Sequence, residues 1–450
     1  MKITKKISII LVLLLIISSI LWITPIKVFA NTLANSPKES LTLASEGAIL
    51  IESSTGQILY GKNENKKLYP ASTTKILTAI IAIENCNSTD KITASYNAVM
   101  SLPAGYSNAA IQPNETLTFQ ELLDMFLIHS ANEVGTIFAE HVSGSVENFA
   151  VLMNQKATEI GCKNTHFTNP SGIHDSEHYS TPYDMALIAR YCMKNETFRN
   201  TVSKKSCTIA PTDKYEERYF RNTNDLINPS SNYYYKYAIG TKTGYTSQAK
   251  RCLIATSLKD GFELIAVVLG AKSELTDTRY VDTINLFEYG YSNYKIEKIA
   301  TKNSVIKEIV IENGTSDTKN LSLLLKEDII GVIPLNTNSS NQTPSIHLNN
   351  LVAAPIVKGD VLGKITYNIN GTEYASELIA SSDVEEFDPI IVLKQILLAI
   401  FALFILSKLC FKKKKSKNLK SKKKKSVQKK PANQKRHNNY KKYSDSIYKF

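Results

Sequence analysis

The spacing of apolar residues along the chain predicts its architecture. Two short apolar runs, 48–52 and 57–60, flank a glycine-containing loop and predict a β-hairpin. An apolar stretch without a polar face follows at 76–83 and predicts a buried helix that begins shortly after Pro70. From about residue 90 to residue 199, apolar residues recur at helical spacing.

Three local signals mark helices within this middle region. Residues 118–121 have the composition of a capping box, and residues 146–160 repeat apolar positions at helical spacing up to a terminal glycine. Thr181 followed by Pro182 is typical of a helix start, because threonine caps the first turn and proline fits its first position. The middle of the chain is therefore predicted to be helical.

Further along, the spacing becomes that of strands. Runs at 235–239, 252–257 and 262–271 predict strands, the last two joined by a hairpin turn, and a closing helix is predicted at 276–291. Strands on both sides of a helical middle predict an α/β fold over residues 31–292. We expect an antiparallel sheet flanked by helices, with an inserted helical region.

Residues 296–382 are rich in strands and turns and predict a small all-β domain. Strands are expected at 306–311, 322–326, 329–333, 361–369 and 372–378. This segment contains no titratable cluster and no metal-ligand pattern. It is expected to lie between an enzyme-like domain and a membrane anchor.

Both ends of the chain carry long apolar runs. The run at 7–23 follows lysines and leads to Ala30, which predicts a signal peptide over residues 1–30, with an uncleaved anchor as the alternative. The run at 389–409 predicts a transmembrane helix, followed by a basic disordered tail at 410–450. Acids precede this helix and lysines follow it. The tail is therefore expected in the cytoplasm and the body outside a single-pass cell-membrane protein.

The net charge of +13 belongs to the ends of the chain. From Lys408 onward there are 18 Lys or Arg and one acid, whereas residues 31–407 carry −8. The tail is expected to attract anionic membrane lipids, and no folded module around its lysines supports nucleic-acid binding. The five exported cysteines are scattered and odd in number, which argues against a disulfide framework and a zinc site, although one pair can form. No cofactor or metal is expected.

Three short motifs carry candidate chemistry. Ser72 and Lys75 are three residues apart at the start of the first helix, so the amine can reach the hydroxyl and act as its base. Ser130 and Asn132 follow an apolar helix and can face a cleft. The third motif is Lys242-Thr243-Gly244: a cation and a hydroxyl suit a carboxylate, and the glycine lets a substrate backbone approach the strand.

Together S-x-x-K, S-x-N and K-T-G resemble the motifs of the penicillin-binding and serine β-lactamase superfamily. The surrounding sequence is similar to low-molecular-mass D-alanyl-D-alanine carboxypeptidases over residues 45–380. The similarity is carried by residues 70–75, 140–145, 167–173, 178–186, 242–246 and 354–360. It implies a β-lactamase/transpeptidase-like fold and a serine enzyme that removes the terminal D-alanine from peptidoglycan stem pentapeptides. β-Lactams such as penicillins are the implied covalent inhibitors.

The resemblance also implies a role for each motif residue. The implied roles are Ser72 as acylated nucleophile, Lys75 as general base, Ser130 as proton relay, Asn132 as holder of the substrate amide, and Lys242 with Thr243 as the carboxylate site. Backbone N–H groups of Ser72 and of the strand near Tyr245 are the implied oxyanion hole.

Alternative functions within the superfamily remain open at this point. They are a D,D-endopeptidase acting on cross-links, a β-lactamase and a catalytically weak penicillin-binding scaffold. A β-lactamase needs a carboxylate for deacylation, and Glu196 is expected to be solvated surface. His178 and Asp184 are expected to be structural. The sequence departs from the family at Ala249-Lys250, where a glycine is usual, and in its spanning rather than amphipathic C-terminal helix.

Overall fold

The computed structural model describes residues 41–272, 276–339, 342–349 and 352–424. The predicted signal peptide and the end of the basic tail lie outside the described residues. The chain divides into two compact units. The first extends to Glu308 and adds Ser322–Asn350 and Gly359–Ser381, and the second contains the intervening segments and everything from Ser382 onward.

The structure has helices and strands close to the predicted ones. The described helices are α1 Lys75–Asn85, α2 Tyr96–Met100, α3 Phe119–Asp124, α4 Asn132–Ser143, α5 Val146–Ile160, α6 Pro182–Met193, α7 Glu196–Val202, α8 Thr278–Asn293 and α9 Pro389–Lys424. The described strands are β1 Gly47–Glu52, β2 Ile58–Lys62, β3 Lys91–Thr93, β4 Thr116–Thr118, β5 Ser206–Ile209, β6 Arg218–Arg221, β7 Ala238–Thr246, β8 Lys250–Lys259, β9 Phe262–Ala271, β10 Tyr294–Ala300, β11 Val305–Val310, β12 Asn320–Leu325, β13 Ile329–Pro334, β14 Ser345–Leu348, β15 Val361–Ile369 and β16 Thr372–Ala380.

A five-stranded antiparallel sheet in the order β2-β1-β9-β8-β7 forms the centre of the first unit. Both of its faces are covered, so its strands are apolar on both sides. Ile49 and Ile254 pack into one core together with helix α1, and Leu50 and Leu253 pack into a second core together with helix α8. The predicted fold, an antiparallel sheet flanked by helices with an inserted helical region, is confirmed.

The region between β2 and β5 contains the helices that its local sequence signals predicted, and it also contains one strand pair that they did not predict. The capping box is formed by Thr118 and Glu121, and α5 begins and ends at the predicted residues, with Gly161 at φ 103° behind it. The expectation of helix throughout was wrong for the short antiparallel pair of β3 and β4. A three-residue strand has too few alternating positions to show a period.

The first unit also contains most of the predicted all-β domain. Strands β12, β16, β15 and β14 lie side by side, and β10 pairs with β13. The sequence did not indicate β10 or β14. The predicted Asn370-Gly371 turn has φ values of 53° and 84°, which suit a two-residue hairpin loop.

The second unit contains helix α9. Of the described residues, Pro389–Lys412 is the one helix that is long and apolar enough to cross a membrane. Its large apolar side chains are exposed in the isolated chain. It is a candidate membrane anchor.

Candidate active site

Ser72 lies on a tight turn rather than on a regular α-helix. Residues Ala71–Thr74 form a single turn of 3-10 helix that leads directly into α1. Ala71, just before the serine, has a left-handed φ of 49°. Gly172 supports this turn, because a Cβ at that position would overlap the Ala71 carbonyl group. The backbone strain therefore lies at Ala71, directly before Ser72, and the packing of Gly172 holds the turn that carries the serine.

Lys75 is fully buried behind Ser72. Its Nζ lies 3.0 Å from Ser72 Oγ, 2.7 Å from Asn132 Oδ1 and 2.6 Å from the Ser171 carbonyl oxygen. Burial lowers the pKa of Lys75 well below its ordinary value, and the positive charge of Lys242 lowers it further. A lysine held in this way can be neutral at physiological pH and can accept a proton from the serine.

Ser130 and Asn132 are placed by an irregular helix end. The helix that starts as α3 continues through one π-helical turn, Met125–His129, and stops at Ser130 with a left-handed φ of 71°. This reversal directs Ser130 into the cleft, while Asn132 begins α4 and contacts Lys75. The apolar pattern indicated the helix but not the π turn, which lies within the buried run.

The Lys242-Thr243-Gly244 motif lies within β7, the edge strand next to the Ser72 turn. Thr243 and Gly244 line the cleft, and Thr243 Oγ1 is 2.7 Å from Thr223 Oγ1. Lys242 is fully buried, and burial, with a contribution from the charge of Arg279, lowers its pKa to about 7. The strand was predicted at 235–239; it begins at Ala238 and includes the whole motif.

Packing within the protein, and not only the approach of a substrate, requires a glycine at position 244. A Cβ at this position would lie 3.0 Å from the Ser72 backbone nitrogen and 3.1 Å from the Thr73 nitrogen. The strand therefore packs backbone to backbone against the turn that carries the serine, and a side chain here would push the two apart.

These residues meet in one cleft of about 590 Å³. Ser72, Ser130, Asn132, Thr243 and Gly244 all line it, whereas Lys75 and Lys242 lie buried behind its wall. The cleft therefore combines a hydroxyl, a buried amine and several polar donors around one space. No Asp or Glu occurs among the described residues that line it.

Sequence reasoning missed several residues of the cleft. Arg279, at the start of α8, lines it, and its guanidinium forms an ion pair with Asp277 at 3.1 Å. The Ser107 carbonyl accepts the Asn132 side-chain amide at 2.8 Å, and the Ser171 carbonyl accepts from Lys75. The 167–173 stretch was noted only as a resemblance, and isolated arginines or loop carbonyls have no local sequence signature.

His178 and Asp184 have structural contacts, as expected. His178 Nδ1 accepts the Thr168 N–H at 3.1 Å, so its Nε2 carries the proton and donates to Thr74 Oγ1 at 2.8 Å. Burial lowers the pKa of His178 to about 3, so the ring is neutral. Asp184 does not cap its own helix; its carboxylate accepts the backbone N–H groups of Lys163 and Asn164.

The structure also shows the surroundings of Lys250, of Glu196 and of the cysteines. Lys250, where a glycine is usual in the family, has a left-handed φ of 58°. Glu196 is exposed at the start of α7 and does not line the cleft. All six cysteines lie in described residues and are free thiols.

Comparison with known proteins identifies the family of this chain. Residues 32–273 match the family of D-alanyl-D-alanine carboxypeptidases, and residues 294–386 match the C-terminal domain of penicillin-binding protein 5. D-alanyl-D-alanine carboxypeptidase DacF of Bacillus subtilis is 33% identical over 354 residues, which cover 77% of this chain and 87% of DacF. DacA of Haemophilus influenzae is 29% identical over 76% of this chain and 86% of its own length.

Solved structures show the same architecture. Penicillin-binding protein 5 of Haemophilus influenzae superimposes with a TM-score of 0.68 at 27% identity, covering 78% of this chain and all of that protein. A Streptomyces DD-transpeptidase superimposes with a TM-score of 0.52 at 31% identity, covering 56% of this chain and 99% of its own. The chain belongs to the D-alanyl-D-alanine carboxypeptidase family of serine peptidases, the low-molecular-mass penicillin-binding proteins.

Proposed function

We propose that this protein is a serine D,D-carboxypeptidase that removes the terminal D-alanine from peptidoglycan stem peptides through an acyl-enzyme on Ser72. The observation that carries the proposal is the buried Lys75 amine, 3.0 Å from the Ser72 hydroxyl and with a lowered pKa. The family relationship supports the same activity.

In the acylation step, Lys75 accepts the Ser72 proton as Oγ attacks the carbonyl carbon of the penultimate D-alanine. The oxyanion that forms is stabilised by backbone N–H groups of Ser72 and Tyr245. The carbon–nitrogen bond then breaks, and the leaving amine takes the proton by way of Ser130. Terminal D-alanine departs and a Ser72 ester remains.

In the second step, water attacks the ester carbonyl and gives its proton to Lys75. The bond to Ser72 Oγ breaks, the serine regains its proton, and the shortened peptide leaves as a carboxylate. Asn132 holds the substrate amide, while Thr243 and Arg279 bind the terminal carboxylate, with the charge of Lys242 behind them. A β-lactam ring is attacked in the same way and forms a covalent ester.

The cleft lining favours this activity over β-lactamase. Class A β-lactamases use a dedicated glutamate to activate the water that hydrolyses the β-lactam ester, and no such carboxylate occurs among the described lining residues. Glu196, considered from the sequence, is exposed at a helix start. We therefore expect a β-lactam ester on Ser72 to persist.

The test uses membranes that contain the full-length protein. Native protein is expected to release D-alanine from a muropeptide ending in D-Ala-D-Ala and to be labelled by fluorescent penicillin. Ser72→Ala is expected to lose both, and Ser203→Ala, at an exposed serine just after α7, to keep both. Penicillin labelling of Ser72→Ala would disprove the nucleophile assignment. Labelling of native protein without D-alanine release would favour a scaffold or an endopeptidase.

We propose further that Pro389–Lys412 anchors the protein in the cell membrane, with the basic tail in the cytoplasm and the cleft on the wall side. The lysines after the helix support this orientation, because basic residues are retained on the cytoplasmic side. A C-terminal epitope is expected to resist protease in intact spheroplasts and to become sensitive after permeabilisation. Cleavage in intact spheroplasts would reverse the orientation.

A further inference from the structure

A loop outside the three motifs determines how Asn132 faces Lys75. Residues 105–107 of this loop line the cleft. The Ser107 carbonyl accepts both the backbone N–H of Asn132, at 2.9 Å, and its side-chain Nδ2–H, at 2.8 Å. Because Nδ2 is committed to Ser107, Oδ1 is the atom that meets Lys75 Nζ, at 2.7 Å. A shift of this loop would therefore release or rotate the Asn132 amide.

Two charged side chains hold the loop at Ala109, two residues beyond Ser107. Glu133, next to Asn132 in the first turn of α4, accepts the Ala109 N–H with Oε1 at 2.6 Å. Arg218, on β6, donates from Nη1 to the Ala109 carbonyl at 3.3 Å and also contacts the buried carboxylate of Glu115. Both backbone polar atoms of Ala109 are thus bound by side chains from two separate elements.

These two side chains are buried at a cost in free energy. Glu133 is 2% exposed and Arg218 is 6% exposed. Glu133 Oε2 is buried without a hydrogen-bond partner among the described residues. Burial raises the pKa of the Glu133 carboxyl group. Apolar side chains would fill such positions at a lower cost in desolvation free energy. The contacts that Glu133 and Arg218 make with Ala109 therefore need a reason other than core stability.

We propose that Glu133 and Arg218 are positioning residues for acylation: by holding Ala109 they fix Ser107, and Ser107 fixes the Asn132 amide against Lys75. The inference rests on the proposed function, because Lys75 is the base of that reaction. Neither residue belongs to the three motifs. Among the described hydrogen bonds of Ser72 and Lys75, none involves Glu133 or Arg218.

The test compares two substitutions at position 133 in full-length protein. Glu133→Gln keeps a carbonyl oxygen for the Ala109 N–H, whereas Glu133→Ala removes the acceptor. With fluorescent penicillin at saturating concentration, we expect Glu133→Ala to acylate about 10²-fold more slowly, the loss typical of a misplaced catalytic group. Glu133→Gln is expected to acylate within about threefold of native protein, because the hydrogen bond is retained. Glu140→Ala, on the same helix, is the control and should acylate normally.

A second measurement does not depend on activity. Hydrogen exchange of the peptide that covers residues 105–111 should quicken in Glu133→Ala and stay near native in Glu133→Gln, because the Ala109 N–H loses its acceptor only in the first. If Glu133→Ala does not fold, Glu133→Asn, whose amide stops one methylene short of Ala109, takes its place with the same expectations.

Two results would overturn the inference. One is native acylation and native exchange in a folded Glu133→Ala protein. The other is equal slowing in Glu133→Gln and Glu133→Ala, since charge rather than the Ala109 contact would then matter. If native protein is not labelled at all, the proposed function fails, while the exchange measurement still decides whether Glu133 holds the loop.

Discussion

Replacing Lys242 with methionine is expected to stabilise the protein at neutral pH while abolishing its activity. Lys242 is fully buried, and its pKa falls from 10.5 to about 7 in the folded protein. A difference of that size corresponds to about 5 kcal/mol of unfavourable free energy for the charged form at low pH. Methionine has a similar length and no charge, so Lys242→Met removes this cost.

The sign of the pH dependence follows from proton counts. Between pH 7 and pH 10.5, unfolded Lys242 is protonated and folded Lys242 is largely neutral. The unfolded state binds more protons, so the free energy of unfolding of native protein rises with pH across this window. From pH 7 to pH 9 this group alone contributes about 2 kcal/mol, because folded Lys242 is still half protonated at pH 7. Lys242→Met lacks this contribution, so its stability advantage should shrink by that amount.

The assay is urea unfolding of detergent-solubilised full-length protein at pH 7, 8 and 9, with native protein and Lys242→Met compared at each pH. Lys364→Met, at an exposed lysine of β15, is the control for loss of a solvated lysine and should differ from native protein by the same amount at each pH. Lys75 makes the stability of all three proteins rise with pH, but less so in Lys242→Met, where the charge of Lys242 no longer lowers the Lys75 pKa. A native-minus-variant difference that stays constant from pH 7 to pH 9 would refute the reasoning.

Two further substitutions test the backbone geometry of the site. Gly244→Ala places a Cβ 3.0 Å from the Ser72 nitrogen, so the strand or the turn must move by a few tenths of an ångström. The penicillin acylation rate should fall at least about tenfold, and a native rate in a folded variant would contradict this packing. Lys250 has φ 58°. In thermal unfolding, Lys250→Gly should therefore be more stable than Lys250→Ala by about 1 kcal/mol, and equal stability would show that the position is not strained.

Much of the fold could be predicted because its signals are local. The hairpin of β8 and β9 turns at Asp260-Gly261, with φ values of 52° and 81°, and such a pair is recognisable in the sequence. Helix α5 has a serine cap at Ser145 and a glycine at its end, so both bounds could be predicted. Strands β3 and β14 are too short to show a period, so no alternation of apolar and polar residues predicted them.

In the site, too, residues in local motifs could be predicted, whereas those that depend on distant neighbours could not. The three motifs indicated residues that the fold brings into one cleft, because each motif combines unusual side chains in a few positions. Ser107, Ser171 and Arg279 were missed, since two act through backbone carbonyls and the third is a single arginine on a helix. The role of Gly244 was understood only in part, because the neighbour that requires it is far away in the sequence.

The order of strands in the central sheet has a consequence for how the enzyme is made. Strand β1 pairs with β9, so Gly47 must find Leu269 after nearly the whole peptidase region has been synthesised. Contacts of such long sequence separation make folding slow, and the edge of β1 that faces β9 stays unpaired until then, although its other edge pairs with β2. Ser72 is synthesised early but gains its neighbouring strand, β7, late. Correct folding therefore depends on keeping the unfinished sheet from aggregating until β9 arrives.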